Sequence, residues 1–268
     1  MLNNSEIYYT ISGKGSPVIL LHGYCETHHM WASFQKALSK NNTVICPDLP
    51  GFGKSTLNVS GFSIADIAKT LAKWIISLNL DSCLVIGHSL GGYIALALAK
   101  QQPELLIGMG LFHYSAYADD EEKKVSRDKT MEFIQKVGAG KFIDSFFPSL
   151  FHPENLENPI VKEAIESLSK QGHILDTNHV VNYMKAMRDR PHSLEVLKNF
   201  KNPILFIAGD SDSRVPLKYS MEQSQIPSNA KSFILRNTGH MGMYEKEAET
   251  IKIVGDFISK TKNSLNNR

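Results

Sequence analysis

A doubly wound, mostly parallel α/β sheet carrying a helical insertion is the fold class this sequence predicts, on three observations. Short, continuous apolar runs recur along the chain: PVILLHG (17–23), NTVICPD (42–48), SCLVIGHS (82–89), LLIGMGLFH (105–113), NPILFIAGD (202–210) and KSFILRNTGH (231–240). Strands of a parallel sheet, buried on both faces, read this way rather than as apolar–polar alternation. Amphipathic helical stretches alternate with these runs, the order that builds crossover units onto one sheet. From about His113 to Phe200 the rhythm stops. No strong strand pattern appears there, and helical spacing with Phe133, Phe142, Phe146, Phe147 and Phe151 dominates.

The elements follow in order. EIYYTISG at the start is expected at an antiparallel edge of the sheet. In SIADIAKTLAKWIISLNL, Ile64, Ile67, Ala68, Leu71, Trp74, Ile75 and Leu78 recur at helical spacing, with Ser63 as N-cap and Asp66 at N3. LGGYIALALAKQQP is apolar nearly all round and ends at Pro103, which places it deep against the sheet. The irregular segment opens on the charged run DDEEKK, most simply a solvated face, and is broken by Pro148, Pro153, Pro159 and Pro191. It reads as a helical lid over one end of the sheet. The division is therefore a first core part at 1–113, a cap at 114–200 and a second core part at 201–268. EAETIKIVGDFISKTK closes the chain with Ile251, Val254 and Ile258 on one side of a helix.

Composition excludes several classes of function. With 268 residues, 42% hydrophobic and 21% charged, the chain suits one large domain or a domain with an insertion. A net charge of +2, with Lys and Arg interspersed among Asp and Glu, gives no electrostatic footprint for nucleic acid. MLNNSEIYYTISG lacks a basic region followed by an apolar one, so no secretory leader is expected. No apolar stretch approaches the ~18 residues a membrane span needs. Cys25, Cys46 and Cys83 are odd in number, without C-x-x-C spacing, and fit reduced thiols in a packed interior. A soluble, cytoplasmic protein is the expectation.

The chemistry concentrates in a few loops. Gly87-His88-Ser89-Leu90-Gly91 matches G-x-S-x-G between an apolar strand and a helix, the context that makes the motif meaningful. A sharp turn there lifts the Ser89 hydroxyl above the sheet beside a helix N-terminus, where developing negative charge is favoured. Glycines flank it because a Cβ would collide with the turn. A hydroxyl attacks poorly unless a base takes its proton, and that base needs an acid to orient it. Later strand ends supply both. GDSDSRVP carries Asp210 and Asp212, and TGH carries His240, in the loops where open α/β sheets place their sites.

Four motifs in this order resemble the α/β-hydrolase family over nearly the whole chain outside the lid: His22-Gly23-Tyr24, the Ser89 elbow, Gly209-x-x-Asp212-x-x-Val215-Pro216 and Gly239-His240. In that family's order the strand 105–113 is the sixth, so the lid would be inserted after strand 6. The resemblance implies the triad Ser89, Asp212 and His240, with Asp210 organising its loop. It also implies an oxyanion hole from the backbone N–H groups of Tyr24 and Leu90, and no cofactor. The implied activity is hydrolysis of a small, partly hydrophobic carboxylic ester or lactone through an acyl-enzyme. Serine at 89 argues against the haloalkane dehalogenases and epoxide hydrolases of the family, which use aspartate there. Carbon–carbon bond hydrolases, cofactor-free perhydrolases, an esterase acting on a carrier-protein-bound acyl chain and a ligand-sensing relative remain alternatives. For a carrier, Lys123, Lys124, Arg127 and Lys129 offer charge, although acids lie beside them. No other protein partner is legible.

Two other signals carry less. CPDLPGFGKST (46–56) ends like a phosphate-binding loop, but Asp48 stands where the first glycine belongs and Pro50 removes a backbone donor. The stretch instead resembles the D-x-x-G-x-G-x-S turn of the hydrolase family, with Asp48 fixing it. Of ten histidines, His28 and His29 are adjacent and expected to diverge, His88 to pack or donate a hydrogen bond, and His113 to be structural. No metal-ligand spacing appears, so no metal is expected. Met184, Met187 and the phenylalanines of the segment would line an acyl pocket, pack the lid, or both.

Overall fold

The computed structural model describes residues 6–59 and 61–266. Its strands are β1 (Tyr9–Ser12), β2 (Ser16–Leu21), β3 (Asn42–Pro47), β4 (Cys83–His88), β5 (Leu106–Phe112), β6 (Ile204–Gly209) and β7 (Ala230–Leu235). They form one sheet in the order β1-β3-β2-β4-β5-β6-β7. β1 pairs antiparallel with β3 at one edge, and the other pairings are parallel. β4 and β6 are buried at every position, as a two-sided sheet requires, whereas β7, at the edge of the sheet, is exposed from Lys231 to Ile234 and departs from the buried strand expected there.

Before β4 come α1 (Ala32–Leu38) and α2 (Ile64–Ser77), and after it α3 (Leu90–Gln101). Ser63 accepts from the Asp66 N–H while Asp66 accepts from the Ser63 N–H, so the two close a capping box at the start of α2. α3 buries nine of its residues, glycines included, which explains its lack of a polar face. Between β5 and β6 lie α4 (Glu121–Val137), α5 (Ala139–Phe146), α6 (Pro159–Gly172), α7 (Thr177–Arg188) and α8 (Leu194–Asn199). The chain ends through α9 (Leu217–Ser224), α10 (Gly242–Glu245) and α11 (Glu247–Asn266).

The helical insertion follows β5 (Leu106–Phe112), the strand expected at 105–113 and counted sixth in the family's order; it is the fifth strand among the described residues. Residues 13–15 join β1 to β2 in a tight turn, with Gly13 and Gly15 both at positive φ. Among the described residues no helix is long and apolar enough to cross a membrane. The first five residues, on which the reading of the N-terminus partly rests, lie outside the described part.

Candidate active site

Ser89 stands between β4 and α3 at φ 49° and ψ −107°. A non-glycine residue held there costs about 1–3 kcal/mol, and the surroundings must enforce it. They do. A Cβ on Gly87 would come within 2.2 Å of the Gly91 backbone, and one on Gly91 within 2.5 Å of the Leu21 carbonyl. The elbow is thus wedged against β2 with no space for side chains, and Ser89 N–H is tied to the Phe112 carbonyl at 2.9 Å. Leu90 opens α3, so its N–H is among those a helix leaves without an intrahelical acceptor.

Asp212 and His240 arrive from the loops after β6 and β7 and meet. His240 Nδ1 donates to Asp212 Oδ2 at 2.8 Å, and both groups are buried. Asp212 Oδ2 also accepts from His113 Nδ1 at 3.0 Å, and Oδ1 accepts from the N–H groups of Arg214 (2.8 Å) and Val215 (3.0 Å). Four donors converge on one carboxylate. Burial alone would raise its pKa, but His240 and His113 outweigh it and hold the group well below the usual carboxylate range. Burial has the larger hand on His240: it lowers the imidazole pKa below its ordinary value, and the Asp212 charge offsets this only in part. The ring is therefore neutral near pH 7, protonated on Nδ1, with Nε2 available to accept.

His113, Asp212 and His240 lie close enough together to resemble a cation site. His113 Nε2 accepts from the Gly242 N–H at 3.1 Å, however, and both Nδ1 protons point at Asp212. The cluster is organised around protons.

Ser89 and His240 open onto one cavity of about 240 Å³. Tyr24, Phe142, Phe146, Met184 and Met187 give it an apolar wall, drawn largely from the inserted helices. Those helices are fastened to the sheet's end around the cavity. Tyr24 Oη donates to the Val180 carbonyl and Tyr183 Oη to the Pro50 carbonyl, each at 2.8 Å, while the His240 N–H donates to the Leu150 carbonyl at 2.6 Å.

Comparison with known proteins bears on the fold that carries these residues. Residues 16–109 match the family model described as alpha/beta hydrolase fold. A thermophilic esterase from Thermogutta terrifontis, solved with malate bound, superposes with a TM-score of 0.90 at 25% identity, over 96% of this chain and 94% of that one. The chain has the α/β-hydrolase fold. A 2-hydroxy-6-oxononadienedioate/2-hydroxy-6-oxononatrienedioate hydrolase from Burkholderia vietnamiensis is 24% identical over 95% of this chain and 91% of its own. A soluble epoxide hydrolase from a Corynebacterium species is 34% identical over 106 residues, 40% of this chain and 37% of that protein.

In this hydrolase fold the stretch 46–56 is no phosphate cradle, because the protein's own anion fills it. Asp48 Oδ1 accepts from the N–H and Nδ1 of His28, at 2.8 and 2.7 Å, and Oδ2 accepts from the Lys54 N–H at 2.9 Å. Gly53, at φ 55°, packs where a Cβ would sit 2.2 Å from that carboxylate. The turn also seats α7, with Phe52 stacked on Tyr183 at 4.6 Å. Asp210 is exposed and accepts from the Thr238 N–H at 3.3 Å, a loop-organising role.

Two features differ from the sequence reading. The rings of His28 and His29 do not diverge; their centres lie 4.0 Å apart within the short 3-10 turn 28–31. More important is a buried pair the motifs do not announce. Glu26 Oε2 accepts from the Gly23 N–H at 2.6 Å and from His88 Nδ1 at 3.0 Å, and His88 Nε2 donates to the His240 carbonyl at 3.0 Å. With both ring nitrogens donating, His88 is an imidazolium. Burial pulls its pKa down, yet the Glu26 charge prevails and leaves it raised. This pair fastens the Gly23–Tyr24 turn to the His240 loop.

Proposed function

We propose that the protein is a serine hydrolase of small, partly hydrophobic carboxylic esters or lactones. Ser89 attacks the carbonyl while His240 Nε2 takes its proton, and Asp212 holds the imidazole in the accepting tautomer. The N–H groups of Leu90 and Tyr24 receive the tetrahedral oxyanion; in comparable sites one such donor is worth about 2.7–4 kcal/mol of barrier. His240 then protonates the departing alcohol and activates the water that cleaves the acyl-enzyme. The inserted segment 114–200 acts as the cap that closes the site and shapes the acyl pocket. Three buried, unpaired cysteines fit a reducing compartment, so we place the protein in the cytoplasm.

The observation that carries this reading is the neutral His240, fixed through Nδ1 by Asp212, in the cavity that Ser89 also lines. Two carrier-facing candidates of the sequence reading, Lys123 and Arg127, line that cavity too, and Lys124 pairs with Glu121, which weakens a carrier-protein docking face. Carbon–carbon bond hydrolysis by the same triad is the second reading, favoured by the near full-length match to the Burkholderia vietnamiensis enzyme. Steady-state turnover of p-nitrophenyl esters of increasing chain length, with lactones alongside, tests the first. Ser89→Ala is expected to lower kcat by about 10⁴- to 10⁶-fold with the fold kept. Unchanged activity makes the elbow serine a structural residue, and single-turnover behaviour in the wild type points to a ligand sensor.

A further inference from the structure

The cavity wall away from Ser89 and His240 is charged in one sense. Lys123, Arg127 and Arg214 line it, and no Asp or Glu does. Asp119 is the carboxylate that answers them: it is buried, pairs with Arg127 Nε and with Arg190 Nη1 at 2.9 Å, and lies 3.9 Å from Lys123 Nζ. One carboxylate thus serves three cations. Arg214 is a fourth, and among the described ion pairs it has no carboxylate partner. Its guanidinium bonds the Ser149 hydroxyl and lies 5.6 Å from the centre of the Phe146 ring. The Asp212 carboxylate is near in sequence, but its oxygens already accept four other donors.

We propose that this cationic wall binds an anionic group, a carboxylate or phosphate, carried by the substrate away from its scissile ester. The inference rests on the ester-hydrolase reading and specifies its substrate class. Arg214 supplies planar N–H donors suited to a two-oxygen acceptor, and its guanidinium lies over the Phe146 ring. Burial lowers the Arg214 pKa, with the Asp212 charge opposing and the Arg127 charge adding to the shift, so an arriving anion supplies counter-charge where the guanidinium has a like-charged neighbour. The apolar residues beside these cations hold the carbon chain between ester and anion.

The test compares mono-p-nitrophenyl adipate with its methyl-capped diester, on wild type, Arg214→Gln and Lys123→Gln. In wild type kcat/KM is expected to be about tenfold or more higher for the acid, mainly through KM, the scale of one charge-assisted hydrogen bond at a partly exposed site. The ratio should fall toward one in Arg214→Gln and shrink in high salt. Turnover of both esters with no preference for the acid, or a preference unchanged in both variants, overturns the inference while leaving the hydrolase reading intact. Calorimetry on the same proteins with adipate and with inorganic phosphate does not depend on turnover. Binding of either anion that Arg214→Gln weakens about tenfold supports the site and tells carboxylate from phosphate, and binding of neither overturns it.

Discussion

Replacing Asp212 by asparagine removes one charge and reverses the polarity of one oxygen at the most heavily used side chain of the site. The carboxylate accepts from His240 Nδ1, His113 Nδ1 and the N–H groups of Arg214 and Val215. An asparagine satisfies these four donors in neither orientation. With its oxygen toward the two backbone N–H groups, its amide donates to the histidines and forces the His240 proton onto Nε2, where the ring can no longer take the Ser89 proton as the proposed mechanism requires. Flipped, it sets its NH₂ against two N–H donors. Loss of the correct tautomer is expected to lower kcat by about 10⁴-fold, roughly 5.4 kcal/mol of transition-state stabilisation. The mismatched donors add a stability loss of about 1–3 kcal/mol. Asp210→Asn serves as the comparison: that carboxylate is exposed and holds its loop through Thr238 and Ser211, so its cost is expected within about 1 kcal/mol. Steady-state kinetics on a short aryl ester and thermal melts of both variants measure the difference. If Asp210→Asn proves the more damaging, the acid has been misassigned.

Two further outcomes follow from the buried charges. Glu26→Gln leaves the His88 imidazolium without its counter-charge and should cost about 3 kcal/mol, a fall in Tm of about 6 °C or more for a domain of this size. The His88 pKa is raised in the fold, so its contribution is fully present below the ordinary histidine value and is lost as pH rises through the raised one. The gap in Tm between wild type and Glu26→Gln should therefore narrow toward alkaline pH, and a gap constant with pH would count against the imidazolium. Because burial depresses the His240 pKa, kcat/KM should reach its plateau below pH 6.5 and fall only in more acidic solution. An inflection at or above pH 7 would contradict a neutral, buried base.

Much of this was legible because the relevant signals are local. A buried strand announces itself in six or seven residues, as β4 and β6 do, and a capping box in four, as Ser63 and Asp66 do. The elbow is equally local: Gly87 and Gly91 are there because backbone occupies the space a Cβ would take. Long-range pairing left no such mark. Glu26 meets His88 across 62 positions and His113 meets Asp212 across 99, so neither partner signals the other along the chain. The inward face of α4 was hidden for a different reason. Lys123 and Arg127 stand four apart in a run that balances its charges, and only packing against α7 decides that they turn to the cavity. Asp48 was legible as a turn-former, but not as the anion that fills the turn it makes.

The central claim is that the elbow hydroxyl is the nucleophile. The direct measurement is intact-protein mass spectrometry after treatment with a fluorophosphonate, followed by peptide mapping. One adduct per chain is expected, located on Ser89, absent from Ser89→Ala and formed much more slowly in Asp212→Asn. An adduct mapped to another residue, or an unlabelled protein that still turns over esters, would contradict it.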